Sequence, residues 1–218
     1  MKTINGYVTV IGANLIEPIL MLIEELETKP ATEPNEVQTG QRENGFSCAI
    51  ITLSVFLLES AINRTKYIEK DKTPRGDIAN YISELSKNVE LGNDVDEVIG
   101  VRDVIVHNHL WEAEIYWDGE QSLKFENSPK LLEGYGNNRF QRVLNVETRL
   151  SHRLGLNLFP PRIWRRDAYA VLRVVYQALI TLETINHNYF TITYHHFMFS
   201  GELQTLSQIL DSLPHSHK

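Results

Sequence analysis

The residues best equipped for chemistry stand together in VIGVRDVIVHNHLWE, residues 98–112, where Arg102, Asp103, His107, Asn108 and His109 interrupt an otherwise aliphatic run. Histidine exchanges a proton near neutral pH, and arginine grips phosphate or carboxylate oxygens in pairs. A segment apolar almost all round is a helix packed on several sides. An arginine and two histidines on such a helix are costly unless they are paired or their face lines a cleft. Acid–base chemistry at a phosphate is therefore the first possibility, and a buried ion pair with a hydrogen-bonded core histidine is the structural alternative.

Helical spacing sets which of these side chains can cooperate. At about 100° per residue, positions 102 and 107 lie about 140° apart around the axis. Asp103 and His107 share a stripe at i,i+4, and Arg102 and His109 share one at i,i+7. By spacing alone His109 suits Arg102 as well as His107 does.

The elements that must position this helix are read from periodicity. Leu15, Ile19, Leu22, Ile23 and Leu26 define an amphipathic helix over 13–27, with Pro18 early enough to be tolerated. Residues 28–44 read as a polar loop, and Gly45 to about Ile68 as a long apolar helix carrying Glu59, Asn63 and Arg64 toward its end. A further helix is expected from Asp77 to Val89, closed by Gly92-Asn93-Asp94, with Asp94 the N-cap of the central helix. The runs AEIYW and EQSLKF, joined by Asp118-Gly119, signal a hairpin over 113–125. Helical spacing recurs through Val143, Val146 and Leu150, and a last long helix is expected over about 165–187. A strand over 189–199 and a short helix over 202–213 close the chain. The whole reads as a single all-α domain, residues 1–218. Its core is about 10–112 plus 165–187, its insert 113–164, and its C-terminal extension 188–218.

Charge is unevenly spread. Residues 139–173 hold eight arginines against Glu147 and Asp167, so this window is +6 in a chain of net charge −7, which leaves −13 elsewhere. Arg139, Arg142, Arg149, Arg153, Arg165 and Arg166 are the candidates for holding a phosphate backbone. Pairing with the acidic remainder of the chain is the alternative. The acidic balance argues against a general nucleic-acid binder. Cys48 stands in an apolar run as a small hydrophobe. The N-terminus shows no secretory leader pattern, and no window has 18 uninterrupted apolar residues, so neither a signal peptide nor a membrane span is expected and the cytoplasm is the working location.

The run Arg102-Asp103-Val104-Ile105-Val106-His107 resembles the R-x4-H motif of the HEPN superfamily (higher eukaryotes and prokaryotes nucleotide-binding domains). Two long helices precede it, and Leu58-Glu59-Ser60-Ala61-Ile62-Asn63 is similar to the acidic-then-Asn close of the second HEPN helix. The resemblance covers about 10–112, with the 165–187 helix, and implies a helical bundle of four to five helices with a hairpin and basic insert. It further implies a homodimer and a metal-independent endoribonuclease, a toxin or antiviral defence effector, with no cofactor and no metal. His107 would be the acid–base residue, with His109 second, and Arg102 the phosphate clamp. Asn108 would donate to phosphate, and Glu59 or Asp103 would orient the arginine. A small nucleotidyltransferase antitoxin is the implied partner beyond RNA, and a non-catalytic HEPN-like nucleotide- or protein-binding module is the alternative function.

Other patterns carry less. His107-Asn108-His109 spells HNH, but that nuclease motif spreads its residues over a ββα unit. His195 and His196 would point to opposite faces of a strand. His215 and His217 lie in a polar tail. Trp111, Tyr116 and Trp117 could stack on bases, although hairpin packing explains them as well.

Overall fold

The structure, a computed structural model, describes residues 13–31, 43–70, 77–107, 111–112, 114–117, 119, 123–125, 130–131, 138–145 and 148–214. The expected start of the chain at Tyr7–Val10, the break at Pro74–Gly76, the loop at 134–137 and the tail histidines lie outside these residues. Within them the fold is mostly helical, with small antiparallel two-stranded sheets.

The first helix, α1 (Ile16–Glu27), buries Ile16, Ile19, Leu20, Ile23 and Leu26 on one stripe. Pro18, its third residue, lies where the backbone N–H needs no helical partner. The second, α2 (Glu43–Ile68), buries an aliphatic side chain on almost every turn. Its start is fixed by Asn44, whose amide donates to the carbonyls of Pro160 and Ile163, both at 2.8 Å.

Next come α3 (Ile78–Ser86) and α4 (Val89–His107). Here the structure corrects the expected boundary. Gly92-Asn93-Asp94 does not end a helix; it lies in the first turns of α4. The chain turns earlier, where Lys87 takes the left-handed conformation (φ 56°) and the Asn88 side chain accepts from Leu91 N. Gly92 serves helix packing instead. A Cβ built on it would lie 2.6 Å from Ser83 Cβ and 2.9 Å from the Ala79 carbonyl oxygen, so only glycine lets α4 cross α3 this closely. At the other end α4 is described as far as His107, and Trp111–Glu112, expected to continue it, is strand.

The insert begins with nested pairs, β1 (Trp111–Glu112) against β4 (Lys130–Leu131) and, inside it, β2 (Ile115–Trp117) against β3 (Leu123–Phe125). The expected hairpin is present, with Gly119 at φ +86° in its turn. Helix α5 (Asn138–Val143) is shorter and earlier than the spacing of Val143 and Leu150 suggested. Leu144 and Leu150 instead form isolated bridges with Ser151 and Asn157.

A long helix, α6 (Arg165–Ile185), makes the most extensive helix–helix contact in the protein, with α2; α4 packs across both. Both α2 and α6 are long and apolar enough to cross a bilayer by length and composition, yet 50% and 56% of their apolar windows are buried inside the fold. A core helix passes the same test.

After α6 the structure again differs from expectation. Only β5 (His196–Phe199) of the segment 189–199 is a strand, paired with β6 (Glu202–Thr205). The residues before it turn because buried Glu183 accepts from Ile192 N, Thr193 N and Thr193 Oγ1, so those backbone groups are unavailable to a ladder. Because β6 takes residues 202–205, the last helix, α7 (Leu206–Ser212), starts at a Thr205 capping box rather than at 202.

Candidate functional site

The site is built on α4. Val95, Val98, Ile99, Val101 and Val104 are essentially fully buried and anchor it in the core. Arg102, at 15% side-chain exposure, is held from two sides. Its Nη2 donates to Glu59 Oε1 of α2 at 2.5 Å, and its Nε lies 3.4 Å from Asp103 Oδ1. Both carboxylates expected to orient it do contact it. His107 is exposed at the last position of the helix, so it is not a core histidine. Asn108 and His109 lie outside the described residues.

Asp103, 5% exposed, carries the charge chain onward. Its Oδ2 is 3.6 Å from Arg139 Nη1, and Arg139 also reaches Asp96 Oδ1 (2.9 Å) and Asp77 Oδ1 (3.2 Å). Arg142 grips the same Asp96 carboxylate at 2.7 Å. Carboxylates and guanidinia thus alternate from Glu59 on α2, through Arg102, Asp103, Arg139 and Asp96, to Arg142. Burial works against the Arg139 charge, but Asp96, Asp77 and Asp103 together hold its pKa above the usual arginine value.

The remaining arginines of the basic window are largely engaged as well. Arg153 donates to Asp94 Oδ1 at 2.9 Å and to Glu90. Arg165 Nε donates to buried Glu43 at 2.5 Å, and its Nη2 to the Lys29 carbonyl at 2.8 Å. Arg149 is half-buried with φ +63°. Arg166 is exposed. Four of the six arginines expected to face RNA therefore hold carboxylates of this chain. Partners 36–63 residues distant for Arg139, Arg142 and Arg153 explain why local sequence could not identify them.

Sequence reasoning missed three buried carboxylates that shape the surroundings of α4 and α6. Glu97, 3% exposed, accepts from Ser151 Oγ, Arg153 N and Leu154 N at 2.7–2.8 Å, tying the end of the insert to α4. Asp167 accepts from Asn157 N and Nδ2 and from Trp164 N, closing the loop before α6. Burial lifts its pKa to about 6 against these hydrogen bonds. For Glu183 burial is outweighed by hydrogen bonds from Ile192 and Thr193, and the net shift is downward. An acidic residue inside an apolar helical run was the available signal for Glu97.

A cavity of about 320 Å³ opens between α3 and α4, with Asp77, Asn80, Asn93, Asp96 and Arg142 on its walls. Among the described residues no group of three or more His, Cys, Asp or Glu could hold a metal ion. Comparison with protein-family models, curated proteins and solved structures finds no match to this chain.

Proposed function

We propose that this chain is a HEPN-like, metal-independent endoribonuclease, a homodimeric toxin or defence effector of the cytoplasm. The observation that supports this most is the state of Arg102. Its Nη2 is hydrogen-bonded to Glu59 and its buried Nε lies 3.4 Å from Asp103 without a hydrogen-bond partner, on the same helix that carries an exposed His107. In the proposed reaction the RNA 2′-hydroxyl attacks the adjacent phosphate. His107 takes the nucleophile's proton or protonates the leaving 5′-oxygen. Arg102, fixed in advance by its two carboxylates, stabilises the charge growing on the phosphorane oxygens. One helix offers one histidine, and a two-fold partner would supply the second. Asn108 and His109 follow directly and remain candidates, as does a nucleotidyltransferase antitoxin as partner.

A second reading, a non-catalytic HEPN-like binding module, is favoured by the internal pairing of Arg139, Arg142, Arg153 and Arg165, which reduces the basic surface available to RNA.

RNA cleavage in EDTA by wild type, His107→Ala and Arg102→Ala, with end-group analysis and light scattering, tests both readings. Activity that survives chelation, leaves cyclic phosphate ends and vanishes in both folded variants is expected. A dimer that cuts no RNA but melts at a higher temperature with nucleotides present would favour the module.

A further inference from the structure

We propose that the cavity between α3 and α4 binds an adenine nucleotide, with the amides of Asn80 and Asn93 toward the base and Arg142 toward the phosphate. This goes beyond the ribonuclease reading and rests on neither Arg102 nor His107.

At about 320 Å³ the cavity has the size of a small-molecule site. Its floor is the close crossing of Gly92 with Ala79 and Ser83. Asn80 and Ser83 stand three residues apart on α3, and Asn93 and Asp96 three apart on α4, so each helix turns a polar stripe into it.

The groups left open decide the ligand. Asp96 is saturated: its two oxygens accept four hydrogen bonds from Arg139 and Arg142 at 2.7–3.0 Å. Asp77 uses only Oδ1, which accepts from Ala79 N at 3.1 Å and Arg139 Nη2 at 3.2 Å, and its Oδ2 takes no hydrogen bond from the described residues. Arg142, with 58% of its side chain exposed, holds Asp96 through Nε and Nη2, which leaves Nη1 open at the rim. The Asn80 and Asn93 amides and the Ser83 hydroxyl bond to no described residue.

A carboxylate beside a guanidinium turns away a bare inorganic anion and a bare cation alike. The ligand that fits brings donors, acceptors and an anionic group together. An adenine nucleotide does so. One asparagine amide accepts from adenine N6–H and donates to N7 at the same time. The open Asp77 oxygen accepts from a ribose hydroxyl, and Arg142 Nη1 donates to the phosphate. Pyrimidines have no N7, and guanine sets an acceptor, O6, where adenine has its N6 donor. The adenine comes either from a free nucleotide or from a nucleotide within RNA.

The test is a backbone-amide NMR titration of the full chain with AMP, GMP, UMP and inorganic phosphate, repeated with AMP on Asn80→Ala and Asn93→Ala. Both asparagines are exposed on helices, so alanine leaves the fold in place. AMP should shift the amides of Asn80, Ser83, Gly92 and Asn93 at concentrations where GMP, UMP and phosphate do not. At least one variant should bind AMP about tenfold more weakly, the effect of losing one bidentate base contact. No shift at these amides would overturn the proposal, as would an equal response to GMP, UMP or phosphate, or unchanged AMP binding in both variants. An oligoadenylate that binds more tightly than AMP through the same amides identifies RNA as the source of the adenine. Equal or weaker binding identifies the free nucleotide. A wild type that cuts no RNA yet binds AMP here would sink the ribonuclease reading alone, so the two fail separately.

Discussion

Gly100 of α4 and Val143 of α5 meet so closely that a Cβ on the glycine would lie 2.7 Å from Val143 Cγ2. Alanine normally gains about 1 kcal/mol over glycine inside a helix. Here the stiff valine cannot swing away, and overpacking costs about 1–3 kcal/mol. Gly100→Ala should therefore destabilise the wild type by about 1 kcal/mol, yet stabilise a Val143→Ala background. A double-mutant cycle from urea unfolding measures this, and strict additivity would refute the contact. Gly92→Ala should resist any such rescue, because its second obstacle is the Ala79 backbone carbonyl at 2.9 Å.

Ser47 and Ser54 lie on α2, both fully buried, and their hydroxyl oxygens have no hydrogen-bond partner. An unsatisfied buried hydroxyl is a cost, and alanine is also the better helix former. Ser47→Ala and Ser54→Ala should each raise the unfolding free energy by about 1 kcal/mol. A loss of stability in urea melts would mean that the hydroxyls are satisfied.

Asp167 should give the protein an unusual acid response. Burial raises its pKa from an ordinary 3.8 to about 6, so the folded protein binds this proton more tightly than the unfolded chain. Its contribution is fully present below pH 4 and is lost as pH rises through about 6. The span corresponds to roughly 3 kcal/mol. The stability advantage of wild type over Asp167→Ala should shrink by about that amount between pH 4 and pH 7. An advantage that grows with pH would reverse the sign and exclude the assignment.

Cys48 should be chemically silent in the folded protein. Burial, helped by the charge of Asp167, pushes its pKa to about 12. At pH 8 the thiolate is then about a thousandfold scarcer than for a free cysteine. A disulfide reagent should label one thiol only after denaturant is added, and rapid labelling of native protein would contradict this environment.

Local pattern made the main helices legible. The stripe of Ile19, Ile23 and Leu26 set α1, and the aliphatic runs set α2, α4 and α6, because apolar residues at helical spacing must be buried on one side. The hairpin across Asp118-Gly119 was legible for the same local reason. Boundaries decided by packing were not. Gly92 looks like a helix breaker until Ser83 and Ala79 are seen pressed against it. The strand expected from Tyr189 is cut short by Glu183, a residue on another element.

For the candidate site the division is similar. The sequence by itself determined that Arg102, Asp103 and His107 share one apolar helix, and that an acidic residue on the preceding long helix, Glu59, is available to the arginine. Only the tertiary structure decided where the charges of the insert go. Arg139, Arg142 and Arg153 close on Asp96, Asp103, Asp94 and Glu90 of α4 rather than standing free. Opposite charges dozens of residues apart find each other only when the core brings their elements together, since Coulomb attraction acts through space and is screened over a few ångströms to tens of ångströms in water.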